Sequence, residues 1–551
     1  MAQNISNEGT EFWTVFPTHV PNPNSPATMN VNVTSRFNTR VTVSCGSYVD
    51  TKDVPANTVV TFLVDRPQSY IEITDGNRIL NNRGIHIKVA EGMPKIVAYS
   101  HVFASARSAA TLILPVDALG QKYFSMNYTQ DPTGDNFIAI IAADDNTDLI
   151  IHKRDGTTLP INGMMKGDVY EYIVPSQDLT GTFVETATNS SCKKFAAFSG
   201  SSAIRIGGNS GGIDPLLQQL YSVNSWGKTY GVVPFIGRRY IVRVLAQEDN
   251  TTINFDGIPV GTINKGQFTE HILTQATIVS SDKLISVAEY SYTQEFSSPN
   301  GGSINTGDPE MVLLNPIEFN IKNITLFSSD KNSIVEKYLN VFMKTNKSAS
   351  FRINGLPPLN AVWQPMPDPT YSYLQVQVSQ ESLTLTADDG FNAIAYGFGN
   401  HESYAYSAGT NLASSQFLLL LNKVTNVENA SACVGQAADF KLTLPFQLEK
   451  IVWKFSDGTP DYIDNSPVAT TSGTSTILYT YTAPVNKTFN VVGATQVIAD
   501  ATLSAIAGSC YTNLQELIFN FNVDPLPEAK IEAPATALSL FLHTIIMLWS
   551  C

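Results

Sequence analysis

Charge is what this chain has least of. Asp, Glu, Lys and Arg make up 15% of its 551 residues, well below the quarter or so usual for soluble domains. Helical surfaces draw heavily on Glu and Lys, so their scarcity argues against a mainly helical fold. The 34 basic residues form no run along the sequence, which excludes a nucleic-acid footprint. The net charge of -14 is spread along the chain and speaks to solubility rather than to a partner. Cysteine is also sparse. Cys45, Cys192, Cys433, Cys510 and Cys551 contain no Cys-x-x-Cys pair, which removes zinc-ribbon and thioredoxin-like chemistry. Cys45 and Cys192 read either as buried thiols or as halves of long-range disulfides. The letters Gly-x-Ser-x-Gly occur only at 208–212, in a Gly-rich stretch that reads as a flexible loop and not as a nucleophile elbow. The seven histidines form no His-Glu-x-x-His, and no phosphate-cradling Gly-Lys-Ser loop occurs. "IGGNSGG" at 206–212 lacks the lysine of such a loop. No catalytic residue, cofactor or metal ligand is therefore expected. The acidic pairs Asp144-Asp145 and Asp388-Asp389 read as turns, with oxygen ligation of calcium as the alternative. An acid/base pair for glycoside hydrolysis cannot be matched from sequence.

What is abundant is β-forming material: 22 Tyr, 28 Phe and many Thr and Val. It is organised as a repeat. Gly-x-x-aromatic before an apolar run occurs at Gly9–Phe12, Gly120–Tyr123 and Gly227–Tyr230. An Asn-Thr turn leading into an alternating strand follows at Asn38, Asn146 and Asn250, with a degenerate form at Asn346. A third marker, a short β-run ending in an aromatic and a small residue, places Tyr99, Phe198, Tyr290 and Tyr396 in sequence. Three markers in constant order define three clear copies and one diverged copy of a unit of about 100 residues. That is the size of one immunoglobulin-like sandwich. The expected fold is all-β: tandem antiparallel β-sandwich units, with a β-propeller-like arrangement, two blades per unit, as the alternative. The opening "GTEFWTVFP" then becomes the first strand of the first unit, with Trp13 and Phe16 in its core. "DPLLQQLY" (214–221) reads as one short helix.

The composition changes after residue 412. Residues 413–429 read as a linker and 430–524 as a further sandwich containing "IVWKFSDGTPD". Trp13, Trp226 and Trp453 are the expected core anchors. Cys433 and Cys510 sit near the two ends of the last domain, where adjacent strand termini would let them pair. Such a disulfide contributes about 4 kcal/mol through the unfolded state. The ends of the chain differ from the rest. "MAQNISNEG" (with 1–7 expected to be disordered) has no basic or apolar signal region. It reads either as a secretory protein started late or as a short tail on a cytoplasmic one. "LSLFLHTIIMLWSC" at 538–551, within a linker and tail at 525–551, is too short for a membrane span. It reads as a truncated or frameshifted tail, or as a hydrophobic anchor.

Residues 8–412 resemble the IgGFc-binding protein N-terminal domain family through "GTEFWTVFP", "LLQQLYSVNSWGKTYGVVPF" and "ADDGFNAIAYGFGNHESYAYSAG". Residues 430–524 resemble a PKD-like domain through "WKFSDGTP", with Ser456 in place of that family's first Gly. The resemblance implies an extracellular or cell-surface binding or adhesion protein. It would recognise a protein or glycan through loops on β-sandwiches and be held at the surface by a missing C-terminal region. Immunoglobulin Fc is the ligand for which the family is named, but none of its binding residues maps onto this chain. A carbohydrate-active hydrolase with an appended sandwich, or an architectural stalk, are the alternatives.

Overall fold

The computed structural model describes residues 5–526, apart from 21–26, 105–106, 129–133, 191–192, 332, 413–416, 425, 430, 445–446, 473–477, 484–485 and 504–513. The chain divides into two compact units, one of residues 5–413 and one of residues 414–551 together with 1–4.

The larger unit repeats one topology four times. The first repeat has strands Glu11–Thr14, Thr28–Thr34, Thr39–Cys45, Tyr48–Val54, Val59–Val64, Ile85–Val89, Val97–Phe103 and Ser108–Ile113. Counted from one to eight, they form an outer sheet in the order 4-3-6-1 and an inner sheet in the order 8-7-2-5. The second repeat, Lys122–Phe124 through Asp214–Gln219, has the same two sheets. In the third, strands six and seven fuse into Thr277–Ser291, which pairs along its first part with the outer sheet and along its second with the inner. The fourth does the same with Ser382–Gly399. Its divergence is local. Strand three shrinks to Arg352–Ile353, and strand four, Gln364–Pro365, pairs with strand five instead. Each repeat is a two-sheet sandwich rather than a pair of single-sheet blades.

The sequence markers have physical causes. Gly9, Gly120 and Gly227 press against the segment that follows strand eight. An added Cβ would lie 2.3 Å from Pro115 Cβ, 2.6 Å from Ser222 Cβ and 2.2 Å from Pro316 Cβ, respectively. Three residues on, the Tyr123 and Tyr230 hydroxyls accept the amides of Gly120 (2.7 Å) and Gly227 (3.1 Å). Asn146 and Asn250 hold left-handed backbone, both at φ +55°, which Asn tolerates better than other side chains. The next residues, Thr147 and Thr251, close the turn on Asp144 O and Glu248 O. Tyr99, Phe198, Tyr290 and Tyr396 are all fully buried on strand seven, where truncation of such a ring costs about 3–5 kcal/mol.

The eighth strands of the four repeats, Ser108–Ile113, Asp214–Gln219, Glu310–Leu313 and Glu402–Gly409, pack together in cyclic order and close a ring. Ile5–Ser6 pairs with Asn411–Leu412 and ties the start of the unit to its end. This ring corrects the helix expected at 214–221. Asp214–Gln219 is a strand buried on both faces. Gln218 Nε2 donates to Ala110 O and Ala405 O, and Gln219 Oε1 accepts the Leu114 amide. Tertiary pairing at the centre overrides the local helical pattern. Asp214, Glu310 and Glu402 open three of these strands and Ser108 the fourth. Ser108 donates its amide to Asp214 and its hydroxyl to Glu402. Burial, then the neighbouring carboxylates, raises Asp214 and Asp308 well above the ordinary carboxyl range.

The smaller unit has two sheets, one built on Phe417–Asn422, Ala437–Leu444 and Leu478–Thr482, the other on Leu448–Phe455, Gly493–Leu503 and Leu514–Asp524. Trp453 is fully buried between them, with Phe440 beside it. No described helix is long and apolar enough to cross a membrane. The tail at 538–551 lies outside the described residues.

Candidate functional site

Because the repeats share a topology, the three junctions between consecutive repeats can be compared at one register. The residue after the Gly-x-x-aromatic marker is Trp13, Phe124 and Gly231 in turn. Each lies on strand one, in the outer sheet.

At the third junction the space over Gly231 is largely filled, with a cavity of about 20 Å³ remaining. The Phe342 ring occupies it, 2.4 Å from where a Gly231 Cβ would stand, and packs with Val233, Ile278 and Met366. The first junction is open. Trp13 pairs across the sheet with His86, the two rings stacked at 4.3 Å and 15°. The turn of the second repeat reaches it through Gly167, whose carbonyl accepts the Gly84 amide at 2.9 Å. Gly167 has φ +86°, and a Cβ there would lie 3.0 Å from the indole, so only glycine fits both the conformation and the approach. Beside these residues is a cleft of about 360 Å³ lined by Trp13 and His86, by Ser44, Asn82 and Lys166, and by Cys45 with three glycines.

A carboxylate organises the rim. Glu11 Oε1 accepts His86 Nε2 at 2.8 Å and Lys166 Nζ at 2.9 Å. The His86 hydrogen bond, against burial and with help from Lys166, pulls Glu11 down to about 2. Cys45 is a free, buried thiol that donates to Gln68 O at 3.3 Å. Burial pushes it up to about 11, so it is a neutral donor in the wall and not a nucleophile. The cleft thus offers hydroxyl, amide, imidazole and ammonium donors beside an aromatic ring, an arrangement suited to holding a polar ligand.

The second junction carries a related set. Phe124, Phe183 and His152 form one cross-strand row, His152 stacked on Phe183 at 4.2 Å. Lys265, from the turn of the third repeat, takes the place of Lys166. Its neighbour Gly266 abuts Gly181 as Gly167 abuts Gly84.

The residues singled out in the sequence have varied settings. Trp13 is buried with its ring against the cleft. Trp226 is buried, packs on Phe124 and donates to Tyr221 O. Trp453 belongs to the core of the smaller unit. Cys433 is disulfide-bonded, while Cys510 and Cys192 lie outside the described residues. Asp144 and Asp145 accept the amides of Lys194 and Lys166, and Asp389 pairs with Lys344 at 3.0 Å. Asp457, in the turn after Trp453, caps Thr459 and pairs with Lys487 at 2.6 Å. Among the described residues no three His, Cys, Asp or Glu side chains converge as a metal-binding set. Glu11, His86, Lys166, Lys122 and Lys265 were missed by sequence reasoning. The signal available was the Lys-Gly pair repeated at 166–167 and 265–266, in corresponding turns.

No curated protein matches the chain. Among solved structures, an adhesin with which an Antarctic bacterium binds ice aligns over 95% of this chain and all of its own, at 10% identity and a TM-score of 0.12. The N-terminal eight Ig domains of Down Syndrome Cell Adhesion Molecule align over 94% of this chain and 61% of their own, at 12% identity and 0.10. A Salmonella alpha-2-macroglobulin mutant aligns over 94% and 46%, at 7% identity and 0.14. Scores this low carry no structural argument. The family described as IgGFc binding protein matches residues 109–397, which run from the last strand of the first repeat to the last long strand of the fourth and do not reach 430–524. That match takes in more than half of the sequence, and the chain belongs to the IgGFc binding protein family.

Proposed function

We propose that this chain is a non-catalytic binding protein of the cell exterior or surface, and that the cleft between its first and second repeats receives a polar ligand, a glycan residue in the first instance. One observation carries the reading. At the third junction Phe342 covers Gly231 and leaves a cavity of only about 20 Å³, whereas the first keeps a cleft of about 360 Å³ beside Trp13, lined with hydrogen-bond donors. Apolar sealing is the cheaper solution for a purely structural contact, so an open polar cleft at the same register suits recognition. An immunoglobulin Fc ligand has only the family's name to support it. The disulfide at Cys433 supports an oxidising compartment. We assign its partner as Cys510, and we read 430–524 as PKD-like on the sequence of its Trp453 turn.

The test fills the cleft. Ser44 lies on its wall, and Ser44→Trp would occupy much of it without touching the core. Glycan-array binding by the wild type, lost in S44W at unchanged thermal unfolding, is the expected result. Equal binding by both proteins would place recognition elsewhere.

A further inference from the structure

The second junction gathers positive charge in a chain whose net charge is -14. Lys122 comes from strand one of the second repeat and Lys265 from the turn between strands four and five of the third. Both ammonium groups lie over the Phe183 ring, at 4.6 and 4.4 Å from its centroid, and they adjoin one another. Burial, then the Lys122 ammonium, holds Lys265 below the ordinary lysine range, with Glu185 opposing. One carboxylate serves this group. Glu185 Oε2 takes Lys122 Nζ at 2.8 Å, and its Oε1 lies 2.9 Å from His152 Nε2. Lys265 has Glu185 and Asp249 within electrostatic reach, but no carboxylate ion-pairs with it among the described residues.

Contrast the first junction. There Lys166 ends on Glu11, whose position corresponds to Lys122 in the second repeat. Lys88, opposite Glu11, corresponds to Glu185, opposite Lys122, so the cross-strand pair is reversed between the two repeats. The turn lysine that meets a carboxylate on strand one at the first junction meets a lysine there at the second. Two ammonium groups side by side repel, and surface lysines are long enough to swing apart. Holding them over one aromatic face lowers that repulsion only in part. An oxyanion seated between them would accept a hydrogen bond from each and cancel the repulsion, and charge-assisted bonds of this kind are the strong ones.

We propose that Lys122 and Lys265, over Phe183, form an oxyanion site that takes the sulfate ester or carboxylate of an acidic glycan. The site is distinct from the first-junction cleft and does not depend on it. Phe183, stacked on His152, seats the two ammonium groups side by side, and Glu185 holds Lys122 in place.

Three immobilised glycans sharing one neutral core, one sulfated, one sialylated and one unmodified, separate the two anion sources. The full chain should bind the sulfated or the sialylated form at least about tenfold more tightly than the neutral parent, the scale of one charge-assisted hydrogen bond. Lys265→Ala and Lys122→Ala should each remove that preference. Lys347→Ala, an exposed lysine elsewhere in the fourth repeat, should retain it. So should S44W, which separates failure of this site from failure of the cleft. Coincident thermal unfolding of K265A and wild type confirms that the lysine loss is local. Equal binding of all three glycans, wild-type preference in K265A and K122A, or an equal loss in K347A would each overturn the proposal.

Discussion

Glu171 offers a measurement in which the sign and size of an effect follow from one buried group. It lies on strand five of the second repeat, fully buried, and accepts two hydrogen bonds from Thr18 of the first repeat. The Thr18 amide reaches Oε1 at 2.8 Å and its hydroxyl reaches Oε2 at 2.6 Å. Burial raises its pKa from 4.5 to about 7, against the pull of the Thr18 bonds and with a small addition from Asp75 and Asp135. The folded protein therefore holds a proton that the unfolded chain gives up between 4.5 and about 7. Stability from this group is fully present below 4.5 and is lost as pH rises to about 7. The interval corresponds to roughly 3 kcal/mol. Glu171→Gln removes the ionisation and keeps the geometry, since the amide oxygen can accept the Thr18 amide while its NH2 donates to the Thr18 hydroxyl. Urea unfolding of both proteins from pH 4.5 to 8.5 isolates the group, because every other titration cancels in the difference at each pH. E171Q should match the wild type near pH 4.5 and exceed it by up to about 3 kcal/mol at pH 8. A difference constant within about 0.5 kcal/mol over the whole range would refute the assignment of the burial penalty to this carboxylate.

Two further outcomes follow from the same kind of reading. Arg243 is buried between the second and third repeats, pairs with Asp178 at 2.6 Å and Glu270 at 2.8 Å, and is flanked by Tyr128 and Phe268. Arg243→Ala should cost about 3–5 kcal/mol in urea unfolding, and Arg243→Met clearly less, because Met keeps the packing between the rings; equal costs would mean that charge alone is at stake. Peptide mapping of the unreduced protein should recover Cys433 joined to Cys510, and recovery of Cys433 joined to another cysteine would remove that assignment.

The repeat was legible in the sequence because each marker answers to a steric demand that few residues meet. Gly9, Gly120 and Gly227 have no room for a Cβ, and Asn146 and Asn250 sit in left-handed backbone. Such local demands leave a trace in one dimension. The helix expected at 214–221 went wrong for the opposite reason. Asp214–Gln219 pairs with Phe195–Ile204 of its own repeat and packs on the eighth strands of its neighbours, and its glutamines find partners more than 100 residues away in sequence. The cationic group at the second junction was invisible for the same reason. Lys122 and Lys265 are unremarkable in sequence, and only the stacking of one repeat on the next makes them neighbours.

Fourfold repetition also separates structural polar groups from functional ones. Where the same register carries related chemistry at the centre of the ring, the contact holds the repeats together. Ser108 shows this at the ring centre. It opens the strand that Asp214, Glu310 and Glu402 open in the other repeats, and it supplies a donor to two of those acids, at the place where the first and last repeats meet. A fourth carboxylate there would lack the hydroxyl donor that Ser108 gives to Glu402, so the hydroxyl belongs where the ring must close. Where the register instead changes its chemistry without sealing the space, as from Phe342 over Gly231 to the open cleft at Trp13, or from Glu11 to Lys122, ring closure does not account for the change. Those two positions are where a ligand's chemistry enters the argument, and they lie on the same outer-sheet face of successive repeats.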